Sequence, residues 1–287
     1  MITRFAPSPT GPLHLGHAYS ALLAHDMARA QGGAFHLRIE DIDQTRARAQ
    51  WEAQILDDLQ WLGIRWDGAV IRQSSNVPIY QQALQNLWDR GLLFTCTCNR
   101  KDIMAAMSAP QEGGALAYGP DGLIYPGTCR GNDCKAGQMP MPRDTALRLD
   151  MDKALQSLGT PAYLEFDEAG RGAIRTSPAQ MLTEVGDIIL SRKDFPGSYH
   201  LSVVLDDAAL NVSDVVRGHD LFDATKIHVA LQMLLGLATP RYHHHPLIRD
   251  DQGKRLAKRD DARAIAKYRA AGATPEDIRV MVGLLPA

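Results

Sequence analysis

The chain has few cysteines, no long apolar run and no surplus of either charge. Four Cys in 287 residues exclude a small disulfide-dense secreted scaffold. No apolar stretch approaches the roughly 18 residues a membrane helix needs. Met1-Ile2-Thr3-Arg4 runs straight into a proline-rich turn, so no signal peptide is expected and the chain reads as cytoplasmic. Lys and Arg total 31 against 33 Asp and Glu, a net charge of −2, which argues against a surface that grips nucleic acid all over. Internal repeats and low-complexity runs are also lacking. Hydrophobic residues at 45% and charged residues at 22% exclude disorder, collagen and coiled coil. The length suffices for one large domain or two modest ones.

What is there reads as α/β. Residues 2–6 and 35–39 have strand character, and 17–31 has a helical pattern stopped by Gly32-Gly33. Strand, helix and strand in under 40 residues predict a βαβ unit on a parallel sheet. Helices are expected near 46–62, 77–90 and 223–236, and a last one near Thr274-Pro275-Glu276. Asp187–Leu190 and Leu201–Leu205 read as strands separated by a Pro196-Gly197 turn. Residues 109–145 hold seven Gly and five Pro, a loop-and-turn composition. The expected division is 1–93 and 185–240 as two halves of a Rossmann-like catalytic domain, with 94–184 inserted. Residues 241–287 form a loop and short helical tail.

Two segments carry phosphate chemistry. His14-Leu15-Gly16-His17 follows the first strand and opens the first helix. A helix N-terminus presents free N–H groups and partial positive charge, and Gly16 lets a nucleotide approach the backbone. Two imidazoles three residues apart can stabilise charge at an attacked α-phosphate; a helix cap and a surface histidine are the plainer alternative. Lys254–Arg259 follows an Asp-Asp-Gln-Gly turn, within residues 249–269 that hold eight Lys/Arg against four Asp. Lysines there can close on a triphosphate as mobile point charges, or the stretch is a solvated charged face.

The pair resembles the two signatures of class I aminoacyl-tRNA synthetases. Arg4 through His17 is similar to the opening of glutamyl-tRNA synthetases. So are Arg38-Ile39-Glu40-Asp41-Ile42-Asp43, Tyr199-His200-Leu201 running into Asp206-Asp207, and Val216-Arg217-Gly218-His219-Asp220. These blocks stand in family order over residues 3–260. The second signature departs from Lys-Met-Ser-Lys-Ser, with Arg255 at the first Lys and Ala257 at the Ser, while Lys258 is kept.

The resemblance implies ATP, with Mg, at His14, Gly16, His17 and Lys258, the catalytic trio being His14, His17 and Lys258. It implies an L-glutamate pocket of Arg4, Phe5, Ala6, Pro7, Ser8, Glu40, Tyr199 and Arg217. Glu40 takes the ammonium, and Arg suits a carboxylate because it can donate two parallel hydrogen bonds. A glutaminyl specificity uses the same frame. Residues after Arg259 leave no room for an anticodon-reading domain, a feature shared with the glutamyl-queuosine tRNA(Asp) synthetase family. That family transfers activated glutamate to queuosine in the tRNA(Asp) anticodon. A monomer is expected. The alternatives are a truncated synthetase charging 3′ ends, a small-molecule nucleotidyltransferase and a silent tRNA-binding relative.

Cys96, Cys98, Cys129 and Cys134 read as a structural zinc site in a reduced compartment. Ligand chemistry alone chooses the four thiols. The resemblance of Tyr125–Arg130 to the glutamyl-queuosine family implies Cys96, Cys98, Tyr125 and Cys129 instead, with Cys134 as the rival fourth ligand. His243-His244-His245 is expected in a hairpin near the ATP loop, with a metal role as the alternative.

Overall fold

The computed structural model describes residues 1–108, 117–131, 139–193, 195, 197–248 and 264–284. Pro196, Cys134 and Lys254–Arg259, Lys258 among them, lie outside the described residues.

The chain opens with β1 (Ile2–Phe5), α1 (Leu15–Ala30) and β2 (Ala34–Ile39), and β2 pairs parallel to β1. This is the expected βαβ unit. Leu15, Ala18, Ala21, Leu22, Ala24 and Ala28 are the buried residues of α1, mostly alanines that let the helix approach the sheet closely. Gly32 takes φ +60° after the cap, and a Cβ on Gly33 would fall 1.9 Å from the Met1 carbonyl oxygen. The stop therefore needs both glycines. α2 (Ala49–Trp61), β3 (Ile71–Arg72) and α3 (Val77–Asp89) follow, with β3 parallel to β2.

β4 (Leu93–Cys96), α4 (Arg100–Ser108), the β5 (Tyr118–Gly119) and β6 (Gly122–Leu123) hairpin, β7 (Ala146–Leu149) and α5 (Met151–Ser157) come next. Then come β8 (Leu164–Glu168), β9 (Gly172–Thr176), α6 (Pro178–Gln180) with a π turn at Met181–Val185, and β10 (Ile189–Ser191). β4, β7 and β10 form an antiparallel sheet.

The last part holds α7 (Tyr199–Ala209), β11 (Asp214–Gly218), α8 (Thr225–Leu235), β12 (Arg241–His245), α9 (Ile265–Ala270) and α10 (Pro275–Met281). β11, β12 and β8 run parallel, and β9 closes the edge antiparallel to β8. The hairpin of the 94–184 stretch thus extends this sheet. β1 and β11 meet side by side, where Ser213 N donates to the Ile2 carbonyl at 3.0 Å and Ile2 N donates to Ser213 Oγ at 2.8 Å.

Two expectations fail here. Leu201–Leu205 is not a strand but the middle of α7, capped by Ser198 Oγ on Leu201 N. This helix is buried on most of its faces, Leu201, Ser202, Val203 and Val204 included. A short apolar run buried all round has no period to separate helix from strand. His243–His245 lies not in a hairpin but in β12, parallel to β11. Among the described residues no helix is long and apolar enough to cross a membrane.

Candidate functional site

A cavity of about 350 Å³ opens where the two parallel sheets meet. Its wall includes Arg4, Phe5 and Ala6 from the end of β1, His14, Gly16 and His17 from the start of α1, and Glu40 after β2. Tyr199, Arg217 and Leu247 complete the opposite side. Elements 200 residues apart in sequence thus bring the two halves of the expected site together. Pro7 and Ser8 do not line it; the Pro7 carbonyl instead accepts from Glu40 N at 3.0 Å and ties the ends of β1 and β2.

The histidine pair has its tautomers set by the helix cap. His14 Nδ1 accepts from Gly16 N, and His17 Nδ1 accepts from His14 N, both at 3.2 Å. A ring nitrogen that accepts carries no proton, so each neutral ring bears it on Nε2, the atom suited to donate to a phosphate oxygen. The rings lie 3.8 Å apart between centroids. Leu247 and Ile248 line the same cavity, and Ala264 pairs with His14 through a β-bridge. Lys258 itself is outside the described residues.

Beneath the cavity lies a charged frame. Arg4 Nε and Nη2 donate to the two Asp207 oxygens at 3.0 and 3.2 Å, and Arg38 Nη1 reaches Asp207 Oδ1 at 2.5 Å. Arg38 Nη2 donates to Glu40 Oε1 at 3.1 Å. Burial alone would raise the Asp207 carboxyl, but the two guanidiniums outweigh it and hold it below its ordinary value. At Glu40 the balance tips the other way: burial pushes its carboxyl up despite Arg38 and Arg4. Asp206 accepts from Gln73, Asn76 and Tyr80, which fixes α7 against α3 and the turn just before it.

Arg217 stands differently. Nε donates to His244 Nε2 at 3.1 Å, Nη1 to His228 Nδ1 at 3.0 Å, and Nη2 to Thr225 Oγ1 at 2.7 Å and to the Leu221 carbonyl at 3.3 Å. Among the described residues none of these partners is a carboxylate. Burial and Arg217 push His228 well below its ordinary value, and His244 down to about 4. A buried guanidinium held by neutral acceptors offers its charge to whatever anion enters the cavity.

Away from this cavity, Cys96, Cys98 and Cys129 gather their sulfurs within 4.8 Å of one another. The Tyr125 hydroxyl lies 3.5 Å from Cys96 Sγ and 3.6 Å from Cys98 Sγ, and Cys98 and Cys129 sulfurs are 3.4 Å apart. In a tetrahedral zinc site, ligand bonds of about 2.3 Å to sulfur and 2.0 Å to oxygen set sulfur and oxygen about 3.5 Å apart. The phenol already has that spacing from Cys96 and Cys98, and the Cys98 and Cys129 sulfurs need to part by only a few tenths of an ångström. Burial raises the Cys129 thiol, but hydrogen bonds led by Tyr125 outweigh it and bring it down to about 7. The donor set fits a metal ion; Cys134 lies outside the described residues.

Sequence reasoning quoted Arg38, Asp206 and Asp207 only as parts of motif blocks and missed their role as a frame. It missed His228 altogether, since one histidine on an apolar helix carries no signal. His244 was visible within the triple histidine, but its partner Glu168 comes from a distant hairpin.

A family model described as the catalytic domain of class I tRNA synthetases (E and Q) matches residues 1–286. A glutamyl-Q tRNA(Asp) synthetase of Rhodobacter capsulatus is 62% identical over 99% of this chain and 100% of its own length. One from Rhodopirellula baltica is 39% identical over 96% of this chain and 82% of its length. Among solved structures, a glutamate tRNA ligase of Elizabethkingia meningosepticum in complex with its amino acid superposes with a TM-score of 0.74 at 24% identity. The superposition covers 99% of this chain, which spans 60% of that one. A methionyl-tRNA synthetase of Mycobacterium tuberculosis bound by methionyl-adenylate shares the fold at a TM-score of 0.57 and 13% identity.

Proposed function

The chain belongs to the glutamyl-Q tRNA(Asp) synthetase family of class I tRNA synthetases, and on that premise we propose that it activates L-glutamate with ATP and transfers it to queuosine in the anticodon of tRNA(Asp). The observation that carries this reading is the single cavity shared by His14, Gly16 and His17 with Arg4, Glu40, Tyr199 and Arg217. On this reading a phosphate seat and an amino-acid seat lie against each other there.

In the proposed reaction a glutamate carboxylate oxygen attacks the α-phosphorus of MgATP in line, and pyrophosphate leaves. The Nε2–H groups of His14 and His17 stabilise the charge that grows on the α-phosphate oxygens, and Lys258 neutralises the leaving group. Glu40 takes the substrate ammonium and Arg217 a carboxylate, with Tyr199 closing the pocket. A queuosine hydroxyl then attacks the acyl carbon, its proton is lost, and AMP leaves an ester. No protein nucleophile is required; catalysis is positioning and electrostatics. We further propose that zinc, held by Cys96, Cys98, Cys129 and Tyr125, braces a segment poor in core residues.

Amino-acid-dependent ATP–pyrophosphate exchange tests the activation step. Exchange with glutamate and not with glutamine or aspartate is expected. Exchange driven by glutamine, or none with any amino acid, overturns the reading.

A further inference from the structure

Behind Arg217 runs a row of side chains that has no part in the reaction just described. His228 Nε2 lies 3.1 Å from His200 Nδ1, and His200 Nε2 lies 3.2 Å from Asp121 Oδ1. With the Arg217–His228 bond this makes a continuous row: Arg217, His228, His200, Asp121. Its direction follows from its two ends. A guanidinium can only donate, so His228 Nδ1 accepts and His228 carries its proton on Nε2. That N–H faces His200 Nδ1, which must accept, so His200 Nε2 carries a proton and donates to Asp121. A carboxylate can only accept, so the far end agrees with the near one. No other neutral arrangement satisfies every contact.

The far end is held in place. Asp121 sits in the turn of the β5–β6 hairpin, half exposed. That hairpin packs tightly on the backbone behind α6: a Cβ on Gly119 would fall 2.1 Å from the Glu184 carbonyl oxygen. Glu184 is in turn bonded to Lys226 of α8 at 2.7 Å, the helix that carries His228. The inner members are buried, His200 at 5% and His228 at 2% exposure. Such a row costs desolvation unless every member is satisfied, and here each is.

We propose that His228, His200 and Asp121 are positioning residues that hold Arg217 in place for the substrate carboxylate by fixing the histidine tautomers from outside the pocket. The proposal rests on reading Arg217 as the holder of a glutamate carboxylate. Asp121 acts across two imidazoles and touches no substrate. Its removal leaves the tautomers fixed from the Arg217 end alone: His200 Nε2–H loses its acceptor, and the reversed row, with protons on His200 Nδ1 and His228 Nδ1, is no longer barred at the far end. In that reversed row His228 Nδ1–H opposes Arg217.

The test measures glutamate Kd by calorimetry and KM and kcat by pyrophosphate exchange in four variants of the full chain. Asp121→Ala should weaken glutamate binding three- to tenfold, the range of one lost hydrogen bond, with kcat and the KM for ATP within about twofold of the parent. Asp121→Asn keeps an oxygen acceptor and should restore glutamate binding. His228→Asn places an amide oxygen where Nδ1 stood, an acceptor that needs no tautomer. In that background Asp121→Ala should have no further effect. Unchanged binding in Asp121→Ala, equal losses in the Ala and Asn variants, or a persisting effect in the double variant each overturn the relay. Nitrogen-15 shifts of His228 give a ligand-free check: a proton on Nδ1 overturns it. Calorimetry separates this outcome from a failure of the functional reading, in which the unaltered protein itself binds no glutamate.

Discussion

Asp58 on α2 is fully buried, and among the described residues neither carboxylate oxygen has a hydrogen-bond partner. Burial, helped by the neighbouring Asp57 charge and opposed by Arg269, raises its carboxyl from 3.8 to about 6. That difference corresponds to about 3 kcal/mol. The sign follows from linkage. The folded chain binds this proton more tightly than the unfolded chain, so ionisation penalises the fold. The penalty is absent below about pH 4, grows towards about pH 6 and is complete above it. Asp58→Asn abolishes the ionisation while leaving an uncharged buried group of the same shape. The amide brings its own cost, but that cost does not vary with pH. The stability of the Asn variant relative to the parent should therefore rise by about 3 kcal/mol between roughly pH 4 and pH 8. For a chain of this size that is about 6 °C in Tm. Urea titrations at a series of pH values measure it. A difference that stays flat across that range, or one that falls, means that Asp58 does not ionise at the expense of the fold.

Other outcomes follow from the same geometry. Asp207→Asn removes the negative charge that two buried guanidiniums share and should cost about 3–5 kcal/mol near neutral pH. Because the Asp207 carboxyl is held below its ordinary value, its contribution to stability is present above about pH 4 and is lost as pH falls through the folded value; an unchanged urea midpoint at pH 7 contradicts the frame. His17→Ala should slow glutamate-dependent pyrophosphate exchange by about a hundredfold and leave glutamate Kd within twofold of the parent; full exchange removes His17 from the chemistry. On the proposed zinc site, Cys129→Ser should lower the zinc content of protein purified without added metal to a small fraction of the parent's, read by atomic emission, and full retention dismisses Cys129 as a ligand.

Much of this was legible in the residues, for physical reasons that differ by element. The βαβ opening was legible because α1 has its own cap, His14, and its own stop, Gly32-Gly33. Local chemistry suffices there. Arg4, His14, Gly16, His17, Glu40, Tyr199 and Arg217 were legible as a set through motif blocks, and they do share one cavity. α7 was misread because its apolar residues are buried on most sides, so tertiary packing alone decides between helix and strand. The relay from Arg217 to Asp121 was not legible at all. It joins β11, α8, α7 and a hairpin turn, and no spacing along the chain records which histidine faces which.

On the proposed function, glutamate activated in this cavity goes to queuosine. Labelled glutamate supplied with ATP to bulk tRNA from queuosine-containing and queuosine-deficient cells tests it directly. Label is expected on the queuosine-containing tRNA alone. Equal label on both would mean transfer to the 3′ end and would contradict it.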